Sequence, residues 1–101
     1  MMNNNDVQEI FETIAPGTTM TLDEVYDYVE DHSVLTADDL APYTETRDTV
    51  FPHWKSCIQT VLSYYKARGY VDHDVKTYDR TFFPKGRTKR DDDAAKIFSL
   101  L

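Results

Sequence analysis

Three histidines, one cysteine and a cluster of carboxylates are the residues of this chain with the chemistry for catalysis or metal binding. His73 sits between Asp72 and Asp74, a grouping that suggests a metal site or an acid–base pair. On a strand, neighbouring side chains point to opposite faces, so these three do not converge. Asp23, Glu24, Asp27, Glu30 and Asp31 place five carboxylates in one short segment. Their spacing fits neither a calcium loop nor a set with a histidine, and they read as the solvated face of a helix. Cys57 falls on an apolar stripe with nothing beside it to activate a thiol nucleophile. A lone cysteine makes no internal disulfide and no paired-cysteine metal motif. With three glycines in total there is no Gly-rich phosphate cradle. The expectation is a non-enzymatic protein with no cofactor and no metal.

The chemistry that remains is recognition, and it centres on Phe51 to Tyr70. Trp54, Cys57, Ile58, Val61, Leu62 and Tyr65 recur at steps of three and four, which places them on one face of a helix. Pro52 suits its first turn, Lys66 and Arg68 its last, and Gly69 its stop. Opposite the apolar stripe stand Lys55, Ser56, Gln59, Thr60 and Ser63, with His53 at the start. Gln and Lys have the hydrogen-bonding geometry to read adenine and guanine.

Charge supports that direction. The 101 residues carry a net charge of −7, but unevenly. Residues 1–48 carry −11, residues 49–90 carry +6 and residues 91–101 carry −2. No acidic residue occurs from Thr49 to Val71. Asymmetry of this kind bears on partner choice more than the total does. The apolar share is 41% with 13% aromatic, enough for one small core. No apolar run is long enough to span a membrane, and the N-terminal residues lack the pattern of a secretory signal. With the single cysteine, this points to a reducing, cytoplasmic setting.

Around that helix the chain reads as one domain over residues 1–101. A first helix within residues 1–15 starts at Asp6, with Glu9 as its capping partner and Val7, Ile10, Phe11 and Ile14 as its stripe. Asn3 to Asn5 ahead of it are expected to fray. Pro16-Gly17 ends it. A core over residues 18–86 follows. Thr18 to Thr21 form a brief extended segment, and Thr21 with Glu24 caps a second helix with Leu22, Val25, Tyr26 and Val29 inward. Thr36 caps a short helix through Leu40. Thr44 to Val50 reads as a polar loop. After Gly69 the pattern alternates, with Tyr70, Val71, His73 and Val75 as one strand, Lys76 to Asp79 as a turn and Arg80 to Phe83 as a second strand. A last helix over residues 91–101 begins at the three aspartates and carries Ala94, Ile97, Phe98 and Leu101. It is too short to stand alone, so it must dock on its own domain or on a partner.

A mainly α, α+β chain with a three-helix core and a C-terminal β-hairpin is the plan of the winged helix-turn-helix. Pro52 to Arg68 would be its recognition helix, and the hairpin its wing. Lys76 and Arg80 would reach phosphates, and Lys85, Arg87, Lys89 and Arg90 would extend the basic track. Thr21 to Gly86 also resembles the winged-helix domain at the N-terminus of Mrr-type restriction endonucleases. The matching residues are L-T-A-D-D-L-A-P-Y at Leu35 to Tyr43, and W-K-S-C-I-Q-T-V-L-S-Y-Y-K-A-R-G-Y-V at Trp54 to Val71, with Leu62, Lys66 and Gly69 at the family's helix ending. The resemblance implies double-stranded DNA binding in a restriction or defence system, without the nuclease domain that follows in that family. The expected function is a DNA-binding transcriptional regulator or a stand-alone recognition module. The alternative is a phage or defence-associated protein–protein adaptor that uses the acidic face, with mimicry of nucleic acid as one form of it. A homodimer through the terminal helices is compatible with both.

Overall fold

The computed structural model describes residues 1–45 and 50–100. In chain order they form α1 (Asn4–Phe11), β1 (Thr19–Met20), α2 (Leu22–Asp31), α3 (Ala37–Leu40), β2 (Pro42–Glu45), β3 (Val50–Pro52), α4 (His53–Arg68), β4 (Val71–His73), β5 (Arg80–Phe82) and α5 (Lys89–Leu100). The α+β class is as expected. Among the described residues no helix is long and apolar enough to cross a membrane.

Four helices start by one local device. A polar residue accepts from the backbone N–H three positions on, and the carboxylate there accepts from the cap's own N–H. The pairs are Asn3/Asp6, Thr21/Glu24, Thr36/Asp39 and Thr88/Asp91. The middle two lie where expected. The outer two correct the sequence reading: Asp6 and Asp91 are the returning carboxylates, not the starts. Asn4 and Asn5 are therefore helical rather than frayed, and Lys89 and Arg90 belong to α5 rather than to a basic run leading into it.

The expected polar loop is also corrected. β2 and β3 pair antiparallel, with Pro42 opposite Pro52 and Glu45 opposite Val50; residues 46–49 of the expected loop lie outside the described residues. Pairing holds Pro52 extended at φ −70°, ψ 151°, so it precedes α4 as its cap residue instead of entering the first turn. At the other end Gly69 stops α4 in the left-handed region, at φ 80°, where a side chain is strained.

Trp54, Cys57, Ile58, Val61, Leu62 and Tyr65 of α4 are all buried, as their spacing predicts. Val7 and Phe11 of α1, and Val25, Tyr26 and Val29 of α2, meet them. Phe82 and Phe83 close the core from the sheet side. Tyr65 lies at the centre of a ring cluster, 5.5 Å from Phe11, 5.3 Å from Tyr70 and 6.2 Å from Phe83 by ring centroids.

The sheet has three antiparallel strands in the order β1-β5-β4. Thr19 faces Thr81, and their hydroxyls bond at 2.9 Å. β4 ends at His73, earlier than expected, so Val75 is exposed in the turn rather than in the strand. The turn is held from inside: the Asp74 carboxylate accepts from the N–H of Lys76 at 2.8 Å and of Thr77 at 3.3 Å. Those bonds keep its carboxyl below the usual aspartate value.

Among the described residues Asp39 is the one buried charged residue, 1% exposed. It accepts from the Met2 N–H and from the Thr36 N–H and hydroxyl, joining the chain start to α3. Burial raises its pKa, but the bonds from Thr36 and Met2 outweigh burial and leave it below the ordinary value of 3.8. A lowered folded pKa gives stability that is complete above pH 4 and lost as pH falls through the folded value. Asp39→Asn removes that dependence, because Asn does not titrate. In thermal melts between pH 5 and pH 3 the wild type loses more stability than Asp39→Asn, whereas Asp39→Ala is less stable than wild type at pH 7 by about 2 kcal/mol. Equal acid sensitivity of wild type and Asp39→Asn would contradict the assignment.

Candidate nucleic-acid interface

The exposed side of α4 and the hairpin of β4 and β5 form the two walls of one groove of about 280 Å³. Gln59, Ser63 and Lys66 line it from α4. Their steps of four and three place them on one face of the helix. His73 and Arg80 line it from the hairpin, and they are cross-strand partners, so their side chains share a sheet face. Leu22, Leu62 and Val71 supply its apolar lining. Lys66 and Arg80 are two cations on opposite walls. The Asp74 carboxylate of the hairpin turn accepts from the turn N–H groups. His73 Nε2 is buried with no hydrogen-bond partner among the described residues.

This groove collects Gln59, Ser63 and Arg80 from the expected interface and adds Lys66 and His73. Lys66 was legible only as a helix-ending charge. The sequence sets His73 between Asp72 and Asp74, but its neighbour on the sheet face is Arg80 across the strand pair.

The remaining expected residues lie elsewhere. Lys55 folds back on the aromatic pair that joins α2 to α4. Its Nζ is 4.8 Å from the Tyr26 ring centroid and 5.5 Å from that of Trp54, within cation–π range. Gln59 Nε2 donates to the Tyr26 hydroxyl at 2.8 Å, so only part of its amide is open to the groove. Ser56 donates to the His53 carbonyl and Thr60 to that of Ser56, so both hydroxyls are committed to α4 itself. Lys76 is exposed in the hairpin turn, and Lys85 is exposed after β5. Arg87 pairs with Asp92 at 3.1 Å, and so adds less positive charge than its position suggested.

His53 Nε2 lies 3.5 Å from Cys57 Sγ, a nucleophile–base pairing in outline. Burial pushes the Cys57 thiol above its ordinary value, and the thiol donates to the Met2 carbonyl. A thiol held this way stays protonated at neutral pH, which disfavours attack. Among the described residues, no three His, Cys, Asp or Glu side chains gather as a metal ligand set.

On the other side of α2, Asp23, Glu24, Asp27, Glu30 and Asp31 are all exposed. Val25, Tyr26 and Val29 face the core, so the acidic face points away from α4. The molecule thus separates a basic groove from an acidic helix face. Comparison with protein-family models, with curated proteins and with solved structures finds no match to this chain.

Proposed function

We propose that this chain is a winged helix-turn-helix protein that binds double-stranded DNA without catalysing a reaction on it, as a regulator or a stand-alone recognition module of a restriction or defence system. The observation that carries the reading is the groove that sets Lys66 of α4 opposite Arg80 of the hairpin, beside the exposed Ser63. Phosphates are bound by cations and short polar groups arranged in this way. The order of elements supports the fold assignment: α1, α2 and α4 pack together, and the hairpin after α4 takes β1 as its third strand. The resemblance of Thr21 to Gly86 to the Mrr-type N-terminal domain agrees with the same reading.

In this arrangement α4 presents Ser63 and the free part of Gln59 to base edges. Lys66 and Arg80 hold the backbone, and Lys76 reaches it from the hairpin turn. Lys55 acts through α2, by keeping Tyr26 seated, more than by touching a base.

The five exposed carboxylates of α2 favour a second reading, an adaptor that binds a basic protein partner. A labelled non-specific duplex separates the two. DNA binding at micromolar protein and low salt supports the first, because non-specific binders bind in about that range. No binding under those conditions supports the adaptor.

A further inference from the structure

The last helix does not cover its own apolar stripe. Its first turn is fastened to the body by polar contacts: the Tyr70 hydroxyl donates to Asp92 at 2.5 Å, Arg87 pairs with Asp92, and the Arg90 N–H donates to Glu12. Burial and the bond to Asp92 push Tyr70 up to about 12. Beyond that turn, Ala94 to Ser99 are all exposed, with Ile97 61% and Phe98 76% exposed. Helical phase explains why. At about 100° per residue, Asp92 lies roughly 120 to 140° around the helix from Ile97 and Phe98. The face that fastens α5 is turned away from the face that carries the large apolar side chains. Continuing the helix therefore carries those side chains away from its own core. The radius of gyration, 14.7 Å against about 13 Å for a compact domain of this length, agrees with a helix that runs off the body.

A groove of about 450 Å³ along α1, which shares Glu9 with the surface beside Lys89, Arg90 and Asp93 at the start of α5, has the complementary character. Met1, Met2, Ile10 and Val34 supply apolar surface, and Asp6 and Glu9 stand on its rim. Val34 is 90% exposed and Met1 69%. Among the described residues no Lys or Arg lines it. The outer half of α5 matches this groove in both respects. It offers Ile97 and Phe98, and Lys96 is the one charged residue from Ala94 to Leu101.

We infer that α5 of one copy docks in the groove between α1 and the segment after α2 of a second copy, with Phe98 and Ile97 on Ile10 and Val34 and Lys96 beside Glu9. Each chain carries both halves of this contact, and a reciprocal exchange of α5 between two copies fills both grooves in a two-fold dimer. The inference stands apart from the DNA reading, since neither surface includes a residue of the α4 groove.

Sedimentation equilibrium of the full chain from about 10 µM to about 1 mM tests it. The expected weight-average mass rises from 11.8 kDa toward twice that value. Phe98→Asp is expected to hold the mass at one chain over the whole range. Glu9→Lys and Lys96→Glu are each expected to weaken association about tenfold, and the two together to restore it to within about threefold of wild type. The three side chains are exposed, so helicity by circular dichroism should stay at the wild-type level in every variant. A single-chain mass at about 1 mM overturns the inference, and so does a dimer that Phe98→Asp leaves intact. A dimer indifferent to Glu9→Lys, or a charge-swapped pair no better than its single variants, overturns the seat in this groove.

Discussion

Tyr65→Ala is expected to lower the unfolding free energy by about 4 kcal/mol and the melting temperature by about 20 °C. Tyr65 is fully buried and touches rings from three directions: Phe11 of α1, Tyr70 before β4 and Phe83 after β5. It is the point at which the helices meet the sheet. Truncation leaves a cavity with aromatic walls that cannot collapse without moving α1 or β5, so the loss falls at the upper end for buried rings. Domains of this size are stable by only about 5 to 15 kcal/mol, so a large share of the fold's margin disappears. The matching control is Tyr65→Phe. The Tyr65 hydroxyl has no hydrogen-bond partner among the described residues, and burial holds it un-ionised. Removing it is expected to change stability by less than about 1 kcal/mol. A large loss in Tyr65→Phe would show that the hydroxyl, and not the ring packing, holds this part of the core.

The second large effect concerns binding. The double variant Lys66→Glu with Arg80→Glu is expected to weaken duplex DNA binding by at least about a hundredfold, close to 2.7 kcal/mol. Both cations lie on the groove, one on each wall, and neither contributes to the core. Reversal removes two attractions and adds two repulsions to phosphate. Thermal stability is expected to fall by about 1 kcal/mol, because Lys66 is exposed but Arg80 is half-buried and donates to the Tyr78 carbonyl, a bond that Glu cannot make. Lys55→Ala removes the cation from over Tyr26 and Trp54, so a part of its effect should also appear in stability, by about 0.5 to 1 kcal/mol. The two outcomes together separate a groove that holds DNA from a helix that merely needs its supports.

What could be read from the sequence was local. The cap pairs Thr21/Glu24 and Thr36/Asp39 and the stripe from Trp54 to Tyr65 depend only on residues three and four apart, and they stand where their spacing puts them. Asn3/Asp6 and Thr88/Asp91 follow the same rule. They were displaced because Asp6 and Asp91 can each serve as cap or as returning carboxylate, and the sequence alone ranks the two roles equally. The β2–β3 pair was hidden by its prolines. Pro is poor in strands, yet Pro42 and Pro52 face each other at the end of a two-stranded sheet, where a missing N–H has no partner to disappoint.

The groove was half legible. Gln59 and Ser63 follow from residue type and helix face, and Arg80 from its charge and its place in the hairpin. The pairing of His73 with Arg80 depends on the register across a turn with Tyr78 in the left-handed region at φ 61°, and no Asn-Gly or Asp-Gly pair announces that register. The engagement of Lys55 and Gln59 with Tyr26 joins residues about thirty positions apart, and only the packing of α2 on α4 brings them together.

Titration of a labelled duplex with the wild-type chain at about 50 mM and about 200 mM salt tests the DNA reading most directly. On the proposed docking, Lys66, Lys76, Arg80 and Lys85 would make about four phosphate contacts, for a slope near −3.6 in log K against log salt and a loss of about a hundredfold across that interval. Binding with that dependence, lost in Lys66→Glu with Arg80→Glu, is the predicted result. No binding at either salt concentration, or binding that salt leaves unchanged, would contradict it and turn attention to the acidic face of α2.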